Sequence, residues 1–167
     1  MGNTAFILMS PNKYSPERLL ADSIISAYHA DVMLNFHNSK NYASNGQFLS
    51  TTLNINDKNV RENNDSFILY VDALDHPQLD FLYYEDVGLN ADHKLVQAGT
   101  IEDVYGVEEL VFRFIYHYLE FNRDDYFWVA DYDWVYVWED LQKLKSLPYD
   151  PDWCYKNPNA NDERKGG

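Results

Sequence analysis

One segment constrains the fold of this chain more than any other: Val107, Leu110, Val111, Phe114, Tyr118 and Phe121. They recur at i, i+3, i+4, i+7, i+11 and i+14, the spacing of a single face of an α-helix. Phe112, Ile115 and Leu119 add a second apolar stripe to the same helix. A helix apolar over most of its circumference is central and packed from two sides, so other elements must enclose it. The 167 residues are enough for one such core and fit a single domain. With 46% hydrophobic and 24% charged residues, wholesale disorder and collagen-like repetition are excluded.

The enclosing elements are short. Ala5–Met9 is an apolar run ended by Ser10-Pro11-Asn12 and reads as a strand. Ser15-Pro16-Glu17 supplies an N-cap, a proline at the first helical position and an acid in the first turn. Leu20, Ile24, Ala27 and Tyr28 then predict a helix over 16–30 with those residues on its buried face. Alternation predicts strands around Val32–Phe36 and Phe48–Ile55, separated by the Asn- and Ser-rich loop His37–Gly46. Asn54–Asp65 reads as a hairpin connection. Ser66–Asp72 and Leu79–Tyr84 are dense in Ile, Val, Tyr and Phe, and are expected to pair antiparallel across Ala73–Gln78. Lys94–Ala98 offers a further strand. Tyr126–Trp138 reads two ways. Its Trp, Tyr and Val content favours a strand, yet Trp134, Val137, Trp138, Leu141 and Leu144 fit one helical face. A strand is therefore expected near Tyr126–Val129, and a helix from about Asp133, capped by an aspartate, to Lys145.

No stretch of the middle leaves room for the crossover helices that parallel strands need. The expectation is therefore an α+β fold: a mainly antiparallel meander of about four to six strands packed against about three helices. Residues 1–156 form this single domain, and 157–167 is a polar tail expected to be disordered. The sequence leaves the strand order and the oligomeric state open.

Charge divides the chain unevenly. Residues 1–64 hold five acids and five bases, whereas 65–152 hold 20 acids against five bases, a net charge of −15. The tail carries +1, giving −14 for the whole chain. Such a balance argues against nonspecific nucleic-acid binding, which neutralises phosphates with Lys and Arg, and against docking on anionic lipid. Net charge also keeps a small domain in solution, so part of the excess needs no partner. The remainder suits a surface that meets a basic protein, since charge complementarity speeds encounter and aromatic anchors hold the centre of an interface. The candidate contacts are Asp72, Asp75, Asp80, Tyr83, Tyr84, Glu85 and Asp86, together with Asp131, Tyr132, Asp133 and Trp134. Asp124, Asp125, Glu139 and Asp140 belong to the same acidic surroundings.

Motifs of chemistry are missing. The glycines at 2, 46, 88, 99, 106, 166 and 167 make neither a phosphate-cradling loop nor a nucleophile elbow. The five histidines include no i, i+4 pair, so no metal site and no cofactor is expected. The D-x-D pairs Asp131/Asp133 and Asp150/Asp152 could serve carboxylate hydrolysis, but such pairs arise readily among 27 acids. Cys154 is the only cysteine, which rules out an intrachain disulfide and fits a reducing cytoplasm. The amino terminus lacks a basic segment and a long apolar run, and no run approaches a membrane span.

The acidity, the aromatic strands Ser66–Asp72 and Leu79–Tyr84, and the stretch from Tyr126 to Trp138 carry a likeness. In these the chain resembles bacterial immunity proteins of contact-dependent growth inhibition and related polymorphic toxin systems. The resemblance implies a cytoplasmic protein without enzymatic activity that binds one cognate toxin domain, frequently a basic nuclease. It implies no cofactor, no membrane and no direct nucleic-acid contact. Two other readings stand beside it: a nucleic-acid mimic that blocks a DNA- or RNA-binding protein, and a hydrolase using a carboxylate pair.

Overall fold

A computed structural model describes residues 3–37, 44–46, 50–58, 65–72, 89 and 94–159. It is an α+β fold: the described residues form a seven-stranded, wholly antiparallel sheet and three helices. The strands are β1 (Ala5–Met9), β2 (Met33–His37), β3 (Ser50–Asn56), β4 (Ser66–Asp72), β5 (Val96–Ile101), β6 (Tyr126–Val129) and β7 (Val135–Tyr136). The helices are α1 (Pro16–His29), α2 (Glu108–Phe121) and α3 (Trp138–Ser146), followed by a 3-10 turn at Trp153–Tyr155. The order β2-β3-β4-β5-β1-β6-β7 contains the expected meander, β2 to β5, and a feature that periodicity does not reveal: β1 is inserted between β5 and β6. Ala5 therefore faces Ile101 on one side and Val129 on the other.

That insertion explains the continuous burial of Ile7, Leu8 and Met9. One sheet face, carrying Ala5, Ile7, Leu53, Ile55, Leu69 and Val71, packs under the helices. On the other face Leu8, Leu95 and Val135 gather with Phe6, Tyr126 and Trp128 into a second, smaller apolar cluster that Leu89 joins. Phe6 stacks on Trp128 with ring centroids 5.9 Å apart. Toward β2 this second face turns polar, with Asn54 exposed and Thr52 half-buried on β3. β4 is flanked by β3 along its whole length and by β5 at Leu69–Val71, so the expected pairing of β4 with Leu79–Tyr84 is corrected there. Leu79–Tyr84 lies outside the described residues.

α2 behaves as its pattern demands. Leu110, Val111, Phe114 and Tyr118 are buried, and so are Ile115 and Leu119 of the second stripe; Phe121, at the last position, is exposed. α1 does not. Its Ser15 cap accepts from the Arg18 amide (3.3 Å) as expected, but the face it buries is Leu19, Ser23, Ser26 and Ala27. Ile24 and Tyr28, expected inside, are exposed and Leu20 is half-buried. Leu19 of the buried face lies over Gly99 of β5, where an added Cβ would come within 3.4 Å of it and 3.2 Å of Leu69. The Ser26 hydroxyl is satisfied within the helix by the Asp22 carbonyl (2.6 Å), which removes the usual cost of burying a serine. α1 ends at His29 with Ala30 as its cap, and Asp31, at φ 56°, supplies the left-handed turn that follows a helix C-terminus.

α3 starts at Trp138, five residues later than expected, because Val135–Tyr136 pairs with β6 and extends the sheet. No aspartate occupies its cap position; Val137 does. The first residues of the expected tail are ordered: Lys143 donates to the Asn159 side chain (2.8 Å), and the Asn159 backbone amide donates to the Asn157 side-chain oxygen (2.8 Å). Residues 160–167 lie outside the described residues. No helix among the described residues is long and apolar enough to cross a membrane.

Candidate functional site

Pairing of β1 with both β5 and β6 brings two distant connections to one end of the sheet. The Thr4 carbonyl accepts from the Ala130 amide (2.8 Å), the Thr4 hydroxyl donates to the Glu102 carbonyl (3.3 Å), and the Asn3 carbonyl accepts from the Val104 amide (3.0 Å). The connections 102–107 and 130–134 thus leave the sheet on either side of one strand, about 10 Å apart at normal strand spacing. Between them they hold Glu102, Asp103, Asp131 and Asp133 and no Lys or Arg. All four acids are exposed, and no described cation lies within 4.0 Å of any of them.

The β6–β7 turn has a defined shape. Asp131 adopts φ 70°, a left-handed conformation that aspartate tolerates better than most residues. The Tyr132 amide donates to the Val129 carbonyl (3.2 Å), and the Trp128 indole donates to the Tyr132 carbonyl (2.9 Å). Tyr132 and Trp134 are half-buried; the Tyr132 ring meets Tyr155 at 4.9 Å, and the Trp134 indole donates to Asp140 (3.1 Å). Two aromatic residues therefore alternate with two carboxylates, the rings fixed from below and the acids facing water. Tyr105, on the neighbouring connection, is the most exposed aromatic there at 70%. The Tyr70 hydroxyl donates to Glu102 (2.9 Å), and that bond holds the phenol above its usual pKa.

The predicted set is not brought together as one surface. Asp131, Tyr132, Asp133 and Trp134 form the turn just described. Asp72 ends β4 at the opposite end of the sheet, where its carbonyl accepts from the Tyr14 hydroxyl. Asp75, Asp80, Tyr83, Tyr84, Glu85 and Asp86 lie outside the described residues. Glu102, Asp103 and Tyr105 were missed, because only the non-sequential β5-β1-β6 order places them beside the turn.

Two acids counted with the surface are interior. Asp125 is 1% exposed and accepts from the Lys13 ammonium (2.9 Å) and the Tyr118 hydroxyl (2.9 Å). Burial raises its pKa against the opposing pull of Lys13, and burial raises that of Tyr118 well above the usual tyrosine range. Asp140 is buried in the first turn of α3, where its carboxylate accepts from the Val137 amide (3.1 Å) and from Trp134; burial raises its pKa too. Nor are the tryptophans all available. Trp138 and Trp153 are core residues, the latter donating to the Glu108 carbonyl (3.0 Å) and stacking on Phe127.

Other chemistry is accounted for structurally. Asp150 accepts from the Asp152 amide (2.9 Å) and pairs with Lys156, whose hydrogen bond holds the carboxyl below its usual range, so this D-x-D pair builds a turn. Burial pushes the Cys154 thiol up to about 12, leaving it protonated. An apolar groove of about 360 Å³ lies between α2, α3 and the C-terminal segment, lined by Phe112, Leu144, Leu147, Tyr149 and Trp153 among others. Among the described residues no group of three or more His, Cys, Asp or Glu side chains is placed to hold a metal ion. The chain matches no described protein family, no curated protein and no solved structure.

Proposed function

We propose that this protein is a non-catalytic inhibitor: a cytoplasmic immunity protein that binds and neutralises a cognate basic toxin domain through the acidic end of its sheet. The observation that carries this reading is the gathering of Glu102, Asp103, Asp131 and Asp133, exposed and without a described cation, around the ordered rings Tyr132 and Trp134. Carboxylates left unpaired on a rigid scaffold repel one another, and a basic partner relieves that repulsion on binding. The half-buried rings supply area that loses little conformational freedom when covered.

The test is association with the toxin domain encoded beside the gene, followed by stopped-flow fluorescence at low and high salt. Binding that slows as salt rises, and slows about tenfold when Asp131→Lys and Asp133→Lys are combined, supports the reading. Absence of a complex at low salt, together with no protection of cells that express the toxin, overturns it. Unchanged rates in the double variant would reject this end of the sheet as the contact.

A further inference from the structure

The apolar groove between α2, α3 and the C-terminal segment has fixed walls. Phe112 and Trp153 line it and meet edge to face at 5.0 Å. Trp153 is held from three directions. Its indole donates to the Glu108 carbonyl (3.0 Å), its ring stacks on Phe127, and its carbonyl accepts from the Tyr136 hydroxyl (2.6 Å). The segment that closes the groove is pinned as well: the Asp150 carbonyl accepts from the Trp153 amide (3.1 Å), and Pro148 and Pro158 each fix a backbone dihedral. The volume of about 360 Å³ falls in the range of small-molecule sites, roughly 300–1,000 Å³. At its rim Leu147 and Tyr149 are two of the nine large apolar side chains exposed among the described residues, surface that an apolar occupant would remove from water.

The charge of the groove is opposite to that of the molecule. Among the described residues its charged lining is Lys145, Lys156 and Asp150, two cations and one anion in a chain of net charge −14. Lys156 pairs with Asp150 (2.5 Å). Lys145 has no such partner: no described carboxylate lies within 4.0 Å of it, and its ammonium rests over the Tyr116 ring, 4.0 Å from the centroid. A ring face occupies one side of an ammonium that carries three N–H donors, so the other side is free to meet an anion.

The two ends also differ. Phe112 and Tyr116 stack one turn apart on α2 (6.1 Å), which sets Lys145 toward the C-terminal end of that helix. Toward its N-terminal end, burial together with Glu109 and Glu108 pushes the Tyr149 phenol up to about 12, so the neighbouring acids lie on the Tyr149 side. Glu109 and Tyr116 are about 10 Å apart along the helix axis.

We infer that this groove binds a small amphipathic monocarboxylate, its carboxylate at Lys145 and its apolar body over Phe112 and Trp153. Charge complementarity selects that occupant. A neutral apolar molecule leaves Lys145 without an anion, a cation is repelled by it, and an occupant charged at both ends meets Glu109 at the second. None of the lining residues belongs to the connections 102–107 or 130–134, so the inference stands apart from the proposed partner surface.

The test is titration of the full chain with sodium octanoate at pH 7, followed in the amide NMR spectrum. Saturable one-to-one binding is expected, with a dissociation constant below about 1 mM and shifts centred on Leu144, Leu147 and Trp153. Octanol and octylamine should bind at least about fivefold more weakly to the same unaltered chain. Lys145→Glu, at an exposed position, should weaken octanoate about tenfold and leave the circular dichroism spectrum unchanged. Shifts that never saturate, or that gather instead on the exposed apolar residues Tyr28 and Phe36, overturn the inference. So does octanol or octylamine binding as tightly as octanoate, or octanoate binding that a folded Lys145→Glu leaves intact.

Discussion

Asp125 and Asp131 are six residues apart, joined by one short strand, and have opposite fates. At the β1 C-terminal end of the sheet Asp125 is drawn inside and met by Lys13 and Tyr118. At the other end Asp131 and Asp133 face water without a described cation, beside Glu102 and Asp103. The first end mixes signs, with Lys13, Lys94 and Arg123 among Asp72, Asp124 and Asp125; the connections 102–107 and 130–134 carry only acids. A carboxylate count alone cannot separate these roles. At one end the charge holds the fold together, and at the other it is borne by the fold.

The contrast is broken most severely at Asp125. Replacing Asp125 by Ala leaves a buried phenol and a half-buried ammonium without their acceptor, and should cost about 3 kcal/mol in urea denaturation. If Asp125→Ala cost no more than a surface substitution, the distinction between the two ends would be wrong. Its pH dependence has a definite sign. Because burial raises the folded pKa above the unfolded one, the native state binds more protons than the unfolded chain between the two values. The group's contribution is therefore greatest at low pH and is lost as pH rises through the folded pKa. The wild-type urea midpoint minus that of Asp125→Asn should fall as pH rises from the ordinary carboxylate range through the raised folded pKa. Asp150, whose pKa is lowered, has the reverse dependence, losing its contribution as pH drops through the folded value.

Asp140 sharpens the comparison with an intermediate case. It belongs to the same acidic stretch as the exposed turn but ties that turn to α3, holding the Val137 amide and the Trp134 indole at once. Asp140→Ala should cost about 1–2 kcal/mol, the range of a lost helix cap and one buried hydrogen bond. It should also red-shift Trp134 emission as the indole gains access to water. A stability loss without a fluorescence change would mean that Trp134 is held by packing alone.

These fates were partly legible. α2 could be read through most of its length, because a helix buried on two sides shows both stripes in its sequence; Phe121, at its exposed end, is the exception. The strand Ala5–Met9 was legible to the residue, and Tyr126–Val129 only in its approximate place within a stretch that also fits a helix. What was hidden came from tertiary geometry. Leu20, Ile24 and Tyr28 look like a core face, but α1 turns Leu19, Ser23, Ser26 and Ala27 to the core and leaves Ile24 and Tyr28 exposed. Val135–Tyr136 lies within the expected helix, but the edge offered by β6 makes it a strand and delays α3 to Trp138. The acidic end was half legible: the Asp131–Trp134 turn is local, whereas Glu102 and Asp103 join it only because β1 threads between β5 and β6. No periodicity records a strand order.

The smallest stability effect belongs to the exposed acids, and it separates the two ends most directly. Asp131→Asn combined with Asp133→Asn removes two charges that touch no described cation, so the urea midpoint should stay within about 0.5 kcal/mol of wild type. Any drift should be toward greater stability, since the substitutions relieve repulsion in a block of net charge −15. Asparagine also tolerates the left-handed φ at position 131, so the turn keeps its shape. Glu102→Gln should be as mild, because the Tyr70 hydroxyl can still donate to the amide oxygen. A loss approaching that of Asp125→Ala would mean that these acids also serve the fold, and the acidic end would then have no surplus charge to offer a partner.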